Sequence, residues 1–360
     1  MPFDLSSYID SLSSRIQPCS EQDWVEARRH LDDLTKPRGS AGRLEDIAAQ
    51  LFAIRGGRIE LPLRSGIWVF AADHGVTAEG VSAYPSAVTA QMVQNFLHGG
   101  AAINVLARHC GAELSIVDVG VDADFEAAPG LIHAKVRAGS RNFRREAAMS
   151  EEELAAAMAV GVRMAEDAAG KGLHVVAAGE MGIGNTSAAT AVAAMLTGLP
   201  IASLTGYGTG VDEAGKLRKT QVIEEALQLH FGAARSEAHP LEVLRRVGGL
   251  EIAAMTGFAL EAAAQRMAFV CDGFIATAAA ALAHALAPGT QAYMLAGHCS
   301  EEPGHAHLLH LIGIEPLLRL KMRIGEGTGA ALAIPLLEAA LRIFTEMATF
   351  SSAGISEKNA

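Results

Sequence analysis

"LHVVAAGEMGIGNTSAATAVAAML", residues 173–196, sets an apolar run of strand length before a glycine-spaced bend and an alanine-rich segment that favours helix. A run that is apolar without alternation belongs to a strand buried on both faces, and a glycine bend joining it to a helix marks an α/β unit. At such a joint, backbone N–H groups and the positive end of the helix face outward and favour an anion. The glycine spacing and the hydroxyl of Thr186 resemble a nucleotide-binding loop. However, Asn185 stands where such a loop has its lysine, and Glu180 lies inside it. An acid there repels a polyphosphate, so a monophosphate is the better fit, met by loop amides and one lysine from elsewhere. Glu180 would then accept from ribose hydroxyls. Asn185 or Thr186 is available as the helix N-cap. The plainer alternative is a tight strand-to-helix turn that binds nothing.

Five further runs share this texture: "GIWVFAA" (66–72), "ELSIVDV" (113–119), "PIASLT" (200–205), "MAFVC" (267–271) and "AYMLA" (292–296). With helix-length segments between them, six strands predict a doubly wound, mostly parallel α/β sheet. Polar residues and glycines follow the runs: Asp73-His74-Gly75, Gly120, Gly179-Glu180, "GYGTG", Asp272-Gly273 and Gly297-His298. Ligands of open α/β sheets bind at the carboxyl ends of strands, so these groups predict one crevice there.

Acidic residues outnumber basic ones 40 to 29, giving a net charge of -11, which argues against a nucleic-acid or anionic-membrane partner and favours a small molecule. Cys19, Cys110, Cys271 and Cys299 are far apart, form no CxxC pair and follow no secretory segment. They read as reduced thiols, which places the protein in the cytoplasm. "FIATAAAALAHALA" (274–287) is shorter than a bilayer requires and reads as a buried helix, so no membrane span is expected. Asp73, His74 and His298 invite a metal reading, but no ligand spacing of the HExxH kind supports it. Neither a metal nor a cofactor is expected.

The first sixty residues read as helical, with "EQDWVEARRHLDDL" capped by Ser20, and the chain returns to helix after residue 320 around a glycine knot at 325–329. This predicts a large domain over 61–320 and a small helical domain built from 1–60 and 321–360.

Six stretches together are similar to one family: "KPRGSAGRLE" (36–45), "FAADHGV" (70–76), "GEMGIGNTS" (179–187), "GYGTGVD" (206–212), "AGHCSEEPGH" (296–305) and "MRIGEGTGAAL" (322–332). In this order they resemble the nicotinate-nucleotide:dimethylbenzimidazole phosphoribosyltransferases. The resemblance implies a Rossmann-like fold, a homodimer, and transfer of phosphoribose from nicotinate mononucleotide to 5,6-dimethylbenzimidazole in cobalamin lower-ligand assembly. It implies Glu326 as the base, and Glu180, Gly182, Gly184, Asn185, Thr186, Lys219 and Ser300 around the nucleotide. Lys216 competes with Lys219 for the phosphate, because both lie in "KLRKTQ". Tyr84, Pro85, Met92 and Ile324 are the implied base-pocket residues.

The chemistry suits these residues. Nicotinate leaves a cationic glycosidic nitrogen as a neutral ring, so the demand falls on the benzimidazole, whose N–H proton one carboxylate can take. A transferase with another acceptor base, such as adenine, a phenol or another benzimidazole, is the near alternative. A non-catalytic nucleotide-binding relative is the distant one. A dinucleotide oxidoreductase would carry GxGxxG after its first strand, where this chain has "DHGVTAEG".

Overall fold

The computed structural model of the protein describes residues 5–356; residues 1–4 and 357–360 of the terminal spans lie outside the described residues. Seven strands form one parallel sheet: β1 (Ser65–Ala72), β2 (Glu113–Gly120), β3 (Leu131–His133), β4 (Val175–Met181), β5 (Ala268–Cys271), β6 (Met294–His298) and β7 (Pro316–Leu318). Their order is β3-β2-β1-β4-β5-β6-β7. Every residue of β1 is buried, as its unbroken apolar reading requires of a central strand covered on both faces.

Two expectations are corrected. The stretch 200–205 is not a strand: Pro200 precedes a four-residue helix, Ile201–Leu204. A short apolar run has no periodicity that separates strand from helix. The sheet has seven strands because β3 and β7, three residues each, close its edges.

Strand order reverses between β1 and β4. The chain passes from β1 outward through β2 and β3, then returns to the other side of β1 to lay down β4 and the rest. Loops leaving a sheet in opposite directions open a crevice at that switch point. The register pairs Phe70 with Glu180 and Ala71 with Met181, so the segments beginning at Asp73 and Gly182 leave the sheet side by side.

Small residues explain the tight helical layers. Helices Glu151–Gly170 and Leu250–Ala264 cross so closely that a Cβ on Gly161 would lie 1.7 Å from the Ala254 carbonyl, and one on Gly257 would lie 2.2 Å from that of Met158. Against β1, Phe258 packs 5.2 Å from Trp68 and 5.5 Å from Phe70, centroid to centroid. Such aromatic contacts add to the area they bury. The segment 274–287 is the expected buried helix.

The chain ends meet. Leu34 bridges Thr349, and the Thr35 amide donates to the Ala348 carbonyl. Ser20 occupies an N-cap position, but its side chain accepts no capping hydrogen bond. Helix Thr328–Glu346 is long and apolar enough to cross a membrane by length and composition. Here its buried face, from Thr328 to Phe344, packs against β6 and against helices Arg43–Ile54 and Ala102–Cys110.

Candidate active site

β4 ends at Met181, and after three intervening residues the helix Asn185–Thr197 begins. Gly184 is the N-cap, at φ +97°, and Asn185 is the first helical residue, so neither Asn185 nor Thr186 caps the helix. Glycine is required at 182 by crowding: a Cβ would lie 2.4 Å from the Ala72 carbonyl at the end of β1. The Ile183 amide donates to Thr89 Oγ1 at 3.1 Å, tying the bend to the helix that also carries Met92.

Asn185 turns inward and donates its side-chain amide to the Glu180 carboxylate. Glu180 is buried, and its carboxyl is pushed up to about 8, first by burial and then by the charges of Asp272 and Glu251. Lys219 replaces the loop's missing cation in space. Its Nζ lies 2.7 Å from Thr186 Oγ1, on a side chain only 1% exposed. Burial pulls its ammonium down to about 8, against the opposing pull of Glu302. Lys216 instead sits 5.0 Å over the Tyr207 ring, which separates the two competitors.

Ser300 is buried after β6. Its Oγ accepts from the Glu302 amide at 3.3 Å and lies 3.1 Å from His305 Nδ1. The Ser300 amide also donates to that nitrogen, so the proton of the neutral imidazole sits on Nε2, facing Thr277 Oγ1. Burial pushes His305 down to about 3. Glu302 accepts from the Gly208 amide at 3.1 Å, while the Gly208 carbonyl accepts from Arg323 at 2.8 Å. A Cβ on Gly208 would lie 2.9 Å from Thr186 Oγ1 and 3.3 Å from Lys219 Nζ. Thr186, Lys219, Gly208, Glu302 and Ser300 therefore form one connected group.

Glu326 sits between Gly325 and Gly327, at φ values of +79°, +62° and +92° in chain order. For a residue with a Cβ this backbone costs ~1–3 kcal/mol and persists only where the surroundings hold it. Its Oε2 is buried with no hydrogen-bond partner. Burial raises its carboxyl above the usual range; the Ile103 amide opposes this and the charge of Asp272 adds to it. The turn rests directly on β4: a Cβ on Gly179 would lie 2.2 Å from the Glu326 carbonyl oxygen, and one on Gly325 would lie 2.3 Å from Glu180 Oε1. The acid read as a base and the acid read as a ribose partner thus meet at one strand end.

The expected base-pocket residues lie at the rim. Tyr84, Pro85 and Ile324 are exposed, and Met92 is half-buried. Ser82 Oγ lies 3.1 Å from Thr209 Oγ1, and the Ala83 amide donates to the same hydroxyl, joining the Tyr84 segment to "GYGTG". Arg323 joins the Ile324 segment to that loop from the other side. A separate groove of about 1500 Å³, lined by Glu26, Arg29, Phe52 and Phe344 among others, contains none of these residues.

The partner of His74 escaped the sequence reading. His74 Nε2 lies 2.6 Å from Glu251 Oε1, both side chains fully buried. Burial alone would lower the imidazole, but the charge and hydrogen bond of Glu251 more than offset it, leaving His74 raised. A Cβ on Gly182 would lie 3.3 Å from the His74 ring, so this pair supports the glycine bend from below. Asp73 accepts from the Asp122 amide at 2.8 Å, a structural task. Among the described residues no group of three or more His, Cys, Asp or Glu could hold a metal ion. The four cysteines are free thiols.

Known proteins match this arrangement over nearly the whole chain. A family model described as Phosphoribosyltransferase matches residues 16–355. The nicotinate-nucleotide:dimethylbenzimidazole phosphoribosyltransferase of Cupriavidus necator is 52% identical over 341 residues, covering 95% of this chain and 97% of that one. Its counterpart in Chlorobium chlorochromatii is 50% identical, with 97% and 98% covered. The crystal structure of CobT from Thermus thermophilus superposes with a TM-score of 0.89 at 47% identity, covering 94% of this chain and all of that one. The chain belongs to the nicotinate-nucleotide:dimethylbenzimidazole phosphoribosyltransferase family.

Proposed function

We propose that the protein transfers the 5-phosphoribosyl group of nicotinate mononucleotide to 5,6-dimethylbenzimidazole, giving α-ribazole 5'-phosphate and nicotinate. The observation that carries this reading is the Glu326 carboxylate, with one buried, unpartnered oxygen, held against the strand that leads into the phosphate-type loop. Lys219, Thr186, Ser300 and the loop amides around Gly182 and Gly184 grip the phosphate. Glu180, oriented by Asn185, receives ribose hydroxyls.

As the benzimidazole nitrogen bonds to C1 of the ribose, the bond to nicotinate breaks and its electron pair returns to the pyridinium nitrogen. The benzimidazole N–H proton goes to Glu326. The raised basicity of a buried carboxylate suits that task, worth typically ~10²–10⁴ in rate. Tyr84, Pro85, Met92 and Ile324 line the way in for the flat heterocycle. The assignment of 61–320 to substrate binding and of the two chain ends to a small helical domain, a homodimeric assembly and a cytoplasmic site of action belong to the same reading.

The test is direct. Purified protein, with no added metal, is incubated with nicotinate mononucleotide and a panel of dimethylbenzimidazole, other benzimidazoles, adenine and phenols, and products are identified by mass. Relative kcat/KM ranks the acceptors. Failure to form a ribosylated product with any of them removes the proposal.

A further inference from the structure

The turn carrying Glu326 is not held by its local bonds alone. Gly327, the N-cap of helix Thr328–Glu346, has no side chain to accept the first free amides of that helix. Asp272, the residue immediately after β5, supplies the acceptors from a different element. Its Oδ2 receives the Gly327 amide at 3.0 Å, and its Oδ1 receives those of Gly329 at 2.7 Å and Ala330 at 3.0 Å. The carboxylate is 1% exposed, and Thr328 adds two local bonds, from its amide at 3.0 Å and its hydroxyl at 2.8 Å, both to the Gly325 carbonyl. We infer that Asp272 is a positioning residue for the transfer reaction, clamping the amides that follow Glu326 so that the left-handed bend presents its carboxylate to the acceptor base. This rests on reading Glu326 as the base.

A clamp made of a carboxylate also acts through its charge. Glu326 is faced by Asp272 and by Glu180 of β4, while Asp272 is faced by Glu180, by Cys271 of its own strand and by His298 of β6. Burial pushes the Asp272 carboxyl up, and the His298 ring with the three amides pulls it back. Its negative charge is one of the causes that raise Glu326. A merely structural cap would hold the helix without setting the basicity of its neighbour.

Asp272→Asn separates the two roles. The substituted side chain keeps one oxygen for Gly329 and Ala330 but turns an N–H group toward the Gly327 amide. The expected result is a fall in kcat of about 10²-fold, with KM for nicotinate mononucleotide changed by less than about threefold. The acid limb of the kcat profile, where the base becomes protonated, should move to lower pH. An unshifted limb, or an unchanged kcat, overturns the inference. Hydrogen exchange on the parent protein tests the clamp without any substitution. The amides of Gly327, Gly329 and Ala330 should exchange far more slowly than those of Arg323 and Ile324 in the exposed approach to the turn. Exchange at the same rate overturns the inference, whether or not the protein proves to be a transferase.

Discussion

The ammonium of Lys219 lies 2.7 Å from the hydroxyl of Thr186, which joins a helix thirty-three residues further along the chain to a nucleotide-type bend that lacks its own lysine. The cation is present in space though absent from the motif, and its burial makes it sensitive to alkali.

Lys219→Met is therefore expected to raise KM for nicotinate mononucleotide by about 10–100-fold, the loss of one charge-assisted hydrogen bond, with a smaller effect on kcat. In the parent protein, the ammonium held down to about 8 sheds its proton as pH passes that value. Donor affinity should fall above pH 8 in the parent and stay flat in the variant. Titration calorimetry across pH 7–9.5 measures both.

Glu326→Gln keeps the shape and removes the proposed proton acceptor. Donor binding should persist while kcat drops by ~10²–10⁴. Turnover at the parent's rate would show that the proton goes elsewhere.

The His74–Glu251 pair makes a stability prediction. His74→Phe leaves a buried carboxylate without its partner and should cost about 3–5 kcal/mol, read by urea unfolding. Because the imidazole is raised in the fold, its contribution is complete below the ordinary histidine value and fades as pH rises through the raised one. The parent should lose stability across that alkaline step, and His74→Phe should show no such step.

Gly179→Ala would force a methyl group to within 2.2 Å of the Glu326 carbonyl. The turn must move, so kcat should fall sharply and stability by about 1–3 kcal/mol. Gly198→Ala is the control: it shares a left-handed backbone, at φ +69°, but meets nothing within 4 Å. It should pay only the strain of its backbone and keep the parent's kcat.

What the sequence disclosed follows from which interactions are local. β1, β4, β5 and β6 were legible because a strand buried on both faces is mostly apolar along its length, and β2 because its second half, from Ile116, is buried in the same way. β3, with only "LIH", and β7, opening on Pro316, are too short to carry a pattern, and "PIASLT" is short enough to satisfy two. The glycine bend and the Glu326 turn were legible because each is a contiguous motif. The choice between Lys216 and Lys219 waited on the phase of their helix, which sends one over Tyr207 and the other inward. His74 and Glu251 are 177 residues apart, and Asp272 reaches amides 55 to 58 residues away. Such partners are brought together by topology, and no local spacing announces them.

The contact between Gly179 and Glu326 bears on how this catalyst can vary. Two main chains touch there with no room for a single carbon atom, so the spacing between the strand that carries Glu180 and the turn that carries Glu326 is ruled by covalent geometry, and only side-chain rotamers remain to set how far apart the two carboxylates lie. Descendants of this sequence can repaint the exposed rim at Tyr84, Pro85 and Ile324, yet those two main chains keep the same separation.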